Sequence, residues 1–257
     1  MIKSKSFKAA YAIKWQAALY CVFFFAVFYI MLGSAKFGFA CGLGLLSAAL
    51  YYKFKNFPLL LGFSAAAAAQ DCSLNMLYGI GLPAALIYFG IFILHKVNKN
   101  SPFKTCLIVI ISRVTIFLSG GDYISTYIIE IFVSALFYLI SFNALKAPVL
   151  RGLKHNVSTD ELVCIAALVL AFYAGLYSVS FFDFKPYLAF AAFTILGALF
   201  VYKLSFTLSY SLIIGAAVCL LSGSPAHLGV FALYCLIANV FKDTSRYLSA
   251  VSVILLD

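Results

Sequence analysis

Charge is what this sequence has least of. Only 10% of its 257 residues are Asp, Glu, Lys or Arg, and the carboxylates number eight. Soluble globular domains are about 25% charged and about 45–50% apolar. This chain is 65% hydrophobic, with a mean hydropathy of +1.07. No water-soluble fold hides that much apolar surface, because even a large domain keeps a wide wetted exterior. Lipid removes the conflict by acting as the apolar solvent around helix exteriors.

Further absences narrow the chemistry. The three histidines, His95, His155 and His227, are far apart, and no metal-ligand spacing arises from them. The seven cysteines (Cys21, Cys41, Cys72, Cys106, Cys164, Cys219, Cys235) form no C-x-x-C and mostly lie inside apolar runs. Dispersed in this way, they read as small apolar packing residues. Neither G-x-x-x-x-G-K nor H-E-x-x-H occurs, and no aspartate cluster is placed to hold divalent cations. No catalytic, cofactor-binding or metal site is therefore expected in these residues. The net charge of +10 does not point to nucleic acid, because the cations punctuate the apolar runs instead of forming one patch.

Apolar runs dominate what is present. Cutting the chain at charges, Gly and Pro leaves runs at 15–31, 37–52, 57–69, 74–94, 102–118, 124–143, 161–179, 186–202, 205–221 and 225–240. A helix needs about 20 apolar residues to cross the hydrocarbon core. The runs are continuous, not alternating, which favours helices over a barrel. The expected fold is all-α, a polytopic transmembrane helix bundle of about 9–11 spans. Residues 1–257 are expected to form a single multi-span membrane domain. Run 57–69 ends in five alanines and is short for a crossing. A last run, 247–256, is about half the required length, and reads as a helix cut by the end of the sequence. Lys3, Lys5, Lys8 and Lys14 precede the first run and Gly33-Ser34-Ala35 follows it, as in a signal peptide. The next apolar run starts almost at once, so the first is read as an uncleaved span.

Orientation follows from the basic residues. With the N-terminus in the cytoplasm and every run crossing, fifteen of the 18 cations fall on the cytoplasmic side. Only Lys36 and Lys185 fall outside, and Arg113 stays within a span. That imbalance obeys the positive-inside rule. The outer turns carry Asp71, Asp122 and Asp183 instead. The partner this implies is the lipid bilayer, and the location is the inner (plasma) membrane.

Arg113 and Glu130 are the charges deep inside expected spans. A charge at mid-bilayer costs about 2.5–3.5 kcal/mol on insertion scales, so each is a candidate functional residue. Each lies seven residues from the Gly120-Gly121-Asp122 turn region that joins its run to the other. At about 1.5 Å per residue both sit about 10 Å below the outer surface. An intramembrane Arg113–Glu130 ion pair between antiparallel neighbours is the leading reading. Snorkelling of Arg113 beside a protonated Glu130, and a transport or proton path, are the other two. Gly38 and Gly42 form G-x-x-x-G, and Ala65 to Ala69 with Gly215 and Ala216 offer similarly flat faces for helix packing. Tyr51, Tyr52 and Tyr202 fit interfacial belts. Ser158, Asp160 and Glu161 fit the chemistry of a helix start.

Four stretches carry a family likeness. They are 33–46 (GSAKFGFACGLGLL), 127–138 (YIIEIFVSALFY, containing Glu130), 157–176 (VSTDELVCIAALVLAFYAGL) and 215–256 (GAAVCLLSGSPAHLGVFALYCLIANVFKDTSRYLSAVSVILL). In content and order they resemble the N-terminal transmembrane region of the stage II sporulation protein E family of endospore-forming Firmicutes. The resemblance implies roughly ten spans followed by a cytoplasmic regulatory region and a manganese-dependent serine phosphatase of the PP2C type. It implies anchoring at the division septum, contact with septal division proteins including the tubulin-like one, and activation of a forespore sigma factor. These residues contain no phosphatase motif, so no catalytic or manganese-binding residue carries over. The expected function is a membrane anchor and localisation module, with self-association as a further expectation. The alternative is a small secondary transporter or permease using Arg113 and Glu130.

Overall fold

The computed structural model describes residues 3–33, 38–54, 56–70, 77–98, 101–118, 124–146, 149–150, 158–179, 185–201, 204–242, 245 and 251. Among them lie ten α-helices and no strand. They are α1 (Lys3–Leu32), α2 (Gly38–Tyr51), α3 (Asn56–Gln70), α4 (Leu82–Lys96), α5 (Pro102–Leu118), α6 (Ile124–Lys146), α7 (Thr159–Tyr177), α8 (Pro186–Val201), α9 (Leu204–Ser222) and α10 (Ala226–Phe241). A π-helical turn, Leu77–Gly81, leads directly into α4.

Each of the ten apolar runs overlaps a helix among the described residues, and 102–118 matches one at both ends. The stops are chemical. Pro102 and Pro186 open α5 and α8, where a missing N–H leaves no bond unmade. The expected glycine turn at 120–122 and the last run, 247–256, lie outside the described residues but for Val251.

Four helical segments are long and apolar enough to cross a membrane: Gly79–Lys96, Tyr127–Lys146, Thr159–Tyr177 and Leu204–Ser222. Helices α2 and α3 have 14 and 15 residues. At 1.5 Å per residue each is about 21–23 Å long, short of the roughly 30 Å hydrocarbon core.

Polarity is inverted relative to a water-soluble bundle. Phe57, Phe103, Phe193 and Leu220 are 72–74% exposed, while Ser47, Thr105, Ser134 and Ser211 are fully buried. In water this arrangement would forfeit about 25 cal/mol for each Å² of apolar surface left wet. In lipid the exposed faces lose nothing. The hydroxyls bond within their own helices: Ser47 to the Leu43 carbonyl (2.6 Å), Ser112 to Val109 (2.7 Å) and Ser211 to Leu208 (2.8 Å).

The chain divides into two compact units, Met1–Ile165 and Ala166–Asp257. In the first, α2 is the core helix: every residue from Ala40 to Leu50 is buried. Small residues let its neighbours close in. A Cβ on Gly44 would lie 2.8 Å from Phe137 Cβ and from the Tyr138 backbone nitrogen of α6. Gly42 faces Leu32 of α1, and a Cβ there would come within 2.7 Å of Leu32 Cδ2. Gly38 packs against the Leu32 carbonyl. The expected G-x-x-x-G contact is thus an α1–α2 contact.

Register fixes the helix directions within this unit. Gln70 bonds the Tyr29 carbonyl at 2.9 Å and Phe28 meets Phe63 edge-on at 5.0 Å, so α1 and α3 run parallel. Gly44 meets Phe137 and Tyr52 bonds the Phe142 carbonyl (3.0 Å), so α2 and α6 run parallel. Tyr138 donates to the Pro102 carbonyl (3.2 Å) while Arg113 reaches Ser134, so α5 opposes α6. His95 of α4 stands 3.4 Å from the Leu50 carbonyl of α2, so α2, α4 and α6 end together.

In the second unit, Tyr173 and Thr194 share a 2.6 Å hydroxyl bond between α7 and α8, beside the Tyr177–Tyr187 ring pair at 5.2 Å. Helices α9 and α10 form a hairpin. Gly215 of α9 abuts the Leu228 backbone, where a Cβ would lie 2.9 Å from Leu228 Cα. The hairpin turns at Gly223, whose φ of 70° suits glycine.

Candidate functional site

Arg113 lies on α5 and Glu130 on α6. The pair forms: Arg113 Nη1 stands 3.7 Å from Glu130 Oε2. The Arg113 side chain is 5% exposed and that of Glu130 22%. The contact is the one that the ion-pair reading expects.

More groups converge on the guanidinium than the sequence indicated. Arg113 Nη1 donates to the Gly79 carbonyl at 3.1 Å. Gly79 belongs to the π-helical turn before α4. A π turn displaces the usual i→i−4 bonding and leaves carbonyls able to accept elsewhere. Arg113 Nε donates to Ser134 Oγ at 3.4 Å, and Ser134 in turn donates to the Glu130 carbonyl at 2.8 Å. Three elements thus hold one cation. Arg113 Nη2 is buried without a hydrogen-bond partner in the protein.

A buried charge is tolerated when it is paired and its donors are met. Here one carboxylate supplies the countercharge and one carbonyl and one hydroxyl take further donors. The arrangement ties the π turn, α5 and α6 to one another. It pairs one cation with one carboxylate and ties both to neighbouring backbone and hydroxyl groups.

Gly38 and Gly42 lie elsewhere, against α1. The helix-start reading of Ser158 to Glu161 is met in full. Ser158 N–H donates to Glu161 Oε2 (3.1 Å), and Glu161 N–H donates to Ser158 Oγ (3.3 Å), a reciprocal capping box. The cysteines Cys41 and Cys235 are buried thiols.

Ser134 and Gly79 were not among the residues expected from the sequence. Ser134 could have been found, because it follows Glu130 by one helical turn and shares its face. Gly79 could not, since nothing local marks a π turn. No protein-family model, curated protein or solved structure matches the chain.

Proposed function

We propose that this chain is the membrane anchor and localisation module of a sporulation phosphatase of the stage II sporulation protein E type. The observation that carries the reading is the ordered set of four resembling stretches. They fall at the α1–α2 junction, on α6 around Glu130, at the capped start of α7, and along the α9–α10 hairpin. The inverted polarity of the helices supports insertion in lipid. The common end reached by α2, α4 and α6 supports an alternating topology, and the distribution of basic residues between the apolar runs supports a cytoplasmic N-terminus.

In this reading the bundle inserts in the inner membrane, associates laterally and holds a cytoplasmic enzyme at the division septum. Arg113 and Glu130 then serve assembly. Their pairing neutralises the buried charge and fixes α5 against α6.

A fluorescent fusion expressed during sporulation tests the proposal. Fluorescence gathers at the septum if the reading is right, and uniform membrane staining removes it. The transport alternative has its own assay. Solute uptake into proteoliposomes that disappears with Glu130→Gln would replace the anchor with a permease.

A further inference from the structure

Among the described residues, Lys53 and Asn98 are the non-glycine residues with positive φ, at 56° and 54°. That backbone region strains any residue with a Cβ, and glycine is the usual occupant at a helix end. Both residues line one cleft of about 420 Å³, with Tyr51, His95, Phe142 and Lys146 among the other walls. Lys53 also lines two adjoining clefts.

Lys53 stands at the left-handed position of a Schellman cap, whose bonds are all made by backbone, so its side chain is left over from the cap. At the end of α2, Tyr52 N–H donates to the Ala48 carbonyl (3.2 Å), Lys53 N–H to Leu50 (3.1 Å) and Phe54 N–H to Ala49 (3.2 Å). His95 Nε2 also stands 3.4 Å from the Leu50 carbonyl. The terminal carbonyls are met by backbone and imidazole, and the Lys53 ammonium remains available to the cleft. At the end of α4, Val97 N–H donates to Ile93 (3.0 Å) and Asn98 N–H to His95 (3.2 Å), so its amide side chain is not required there either.

The walls divide by chemistry. Lys53 and Lys146 supply two cations, and none of the lining residues is acidic. Glu161, whose charge reaches Tyr52, is buried and engaged by Ser158. The floor is aromatic and rigid: Phe142 meets Tyr51 edge-on at 5.1 Å and stacks on Tyr52 at 5.4 Å. Exposed apolar side chains continue the rim at Leu150 and Phe92. Cations over an aromatic floor, at the end of an apolar belt, match a headgroup phosphate attached to acyl chains.

We propose that this cleft binds the phosphate headgroup of an anionic phospholipid, from the leaflet facing the C-termini of α2, α4 and α6. The inference rests on the membrane reading above but not on the sporulation assignment.

Native mass spectrometry of the full chain in detergent, offered equal phosphatidylglycerol and phosphatidylcholine, tests it. The expected result is retention of phosphatidylglycerol over phosphatidylcholine by about tenfold, from two lysines near one phosphate. Lys53→Asn with Lys146→Gln removes both charges and tolerates the left-handed backbone, and the preference falls to near one. Lys53→Arg with Lys146→Arg keeps it. Equal retention of the two lipids by the natural chain overturns the proposal, as does a preference that survives the neutral pair. A thermal shift in the natural chain matched by inorganic phosphate alone also overturns it, because the lipid is then not the ligand. If the chain stays monodisperse without detergent, the membrane reading itself has failed, a result distinct from these.

Discussion

Arg113 meets Glu130 at 3.7 Å while its Nε reaches Ser134, one helical turn further along the same partner helix. Glu130→Gln removes the countercharge and leaves the guanidinium buried. The expected loss is about 3–5 kcal/mol of stability. Replacing both residues, as in Arg113→Met with Glu130→Met, is expected to recover most of it, because an apolar pair carries no desolvation cost. Thermal unfolding of the two variants in one detergent reads the difference. Equal destabilisation by the single and double replacements would contradict the pair as a neutralising contact.

Gly44 is the tightest test of the α2–α6 contact. A methyl group there meets the Tyr138 backbone nitrogen at 2.8 Å, and backbone does not step aside as a flexible side chain does. Gly44→Ala should lose about 1–3 kcal/mol. Gly229→Ala adds the same methyl where nothing lies within 4 Å and should be nearly neutral. Urea or SDS titration of both variants compares them.

The capping box at α7 predicts a smaller, local effect. Ser158→Ala deletes the acceptor for the Glu161 N–H and should cost about 1 kcal/mol. Amide hydrogen exchange should quicken in the first turn of α7 and nowhere else. Unchanged exchange at Glu161 and Leu162 would remove the cap from the account.

Lys53→Gly should move stability and ligand binding in opposite directions. Relief of the left-handed strain should stabilise the chain by about 1 kcal/mol, and anionic lipid retention should fall. Thermal unfolding without added lipid, set beside the lipid retention assay, separates the two effects. A Lys53→Gly chain less stable than the parent would show that the lysine serves the fold.

Helix extents were legible because lipid demands unbroken apolar stretches, and the interruptions in them are chemical. The Arg113–Glu130 pair was legible for a related reason: equal counting from one turn places both groups at one depth. Gly44 was not legible. The G-x-x-x-G spacing of Gly38 and Gly42 marks one face of α2, whereas Gly44 follows Gly42 by about 200° of helical rotation and lies on another. The Lys53 cleft was equally hidden. Its walls come from three helix ends far apart in sequence, and only their shared direction in the fold assembles them. The span count lies between these cases, since α2 and α3 are helical but individually short.

The hydroxyls of Ser47, Ser112 and Ser211 bond to carbonyls of their own helices. Pulling two such rods apart within a bilayer breaks none of these bonds. Coherence of the bundle then depends on snug shape, on a few hydroxyl and amide bonds between helices such as Tyr52–Phe142 and Tyr173–Thr194, and on the Arg113–Glu130 clamp, while each rod is self-sufficient before it docks. Circular dichroism should accordingly keep its helical signal after tertiary contacts are lost, so that assembly is a late and separable event in the life of the chain.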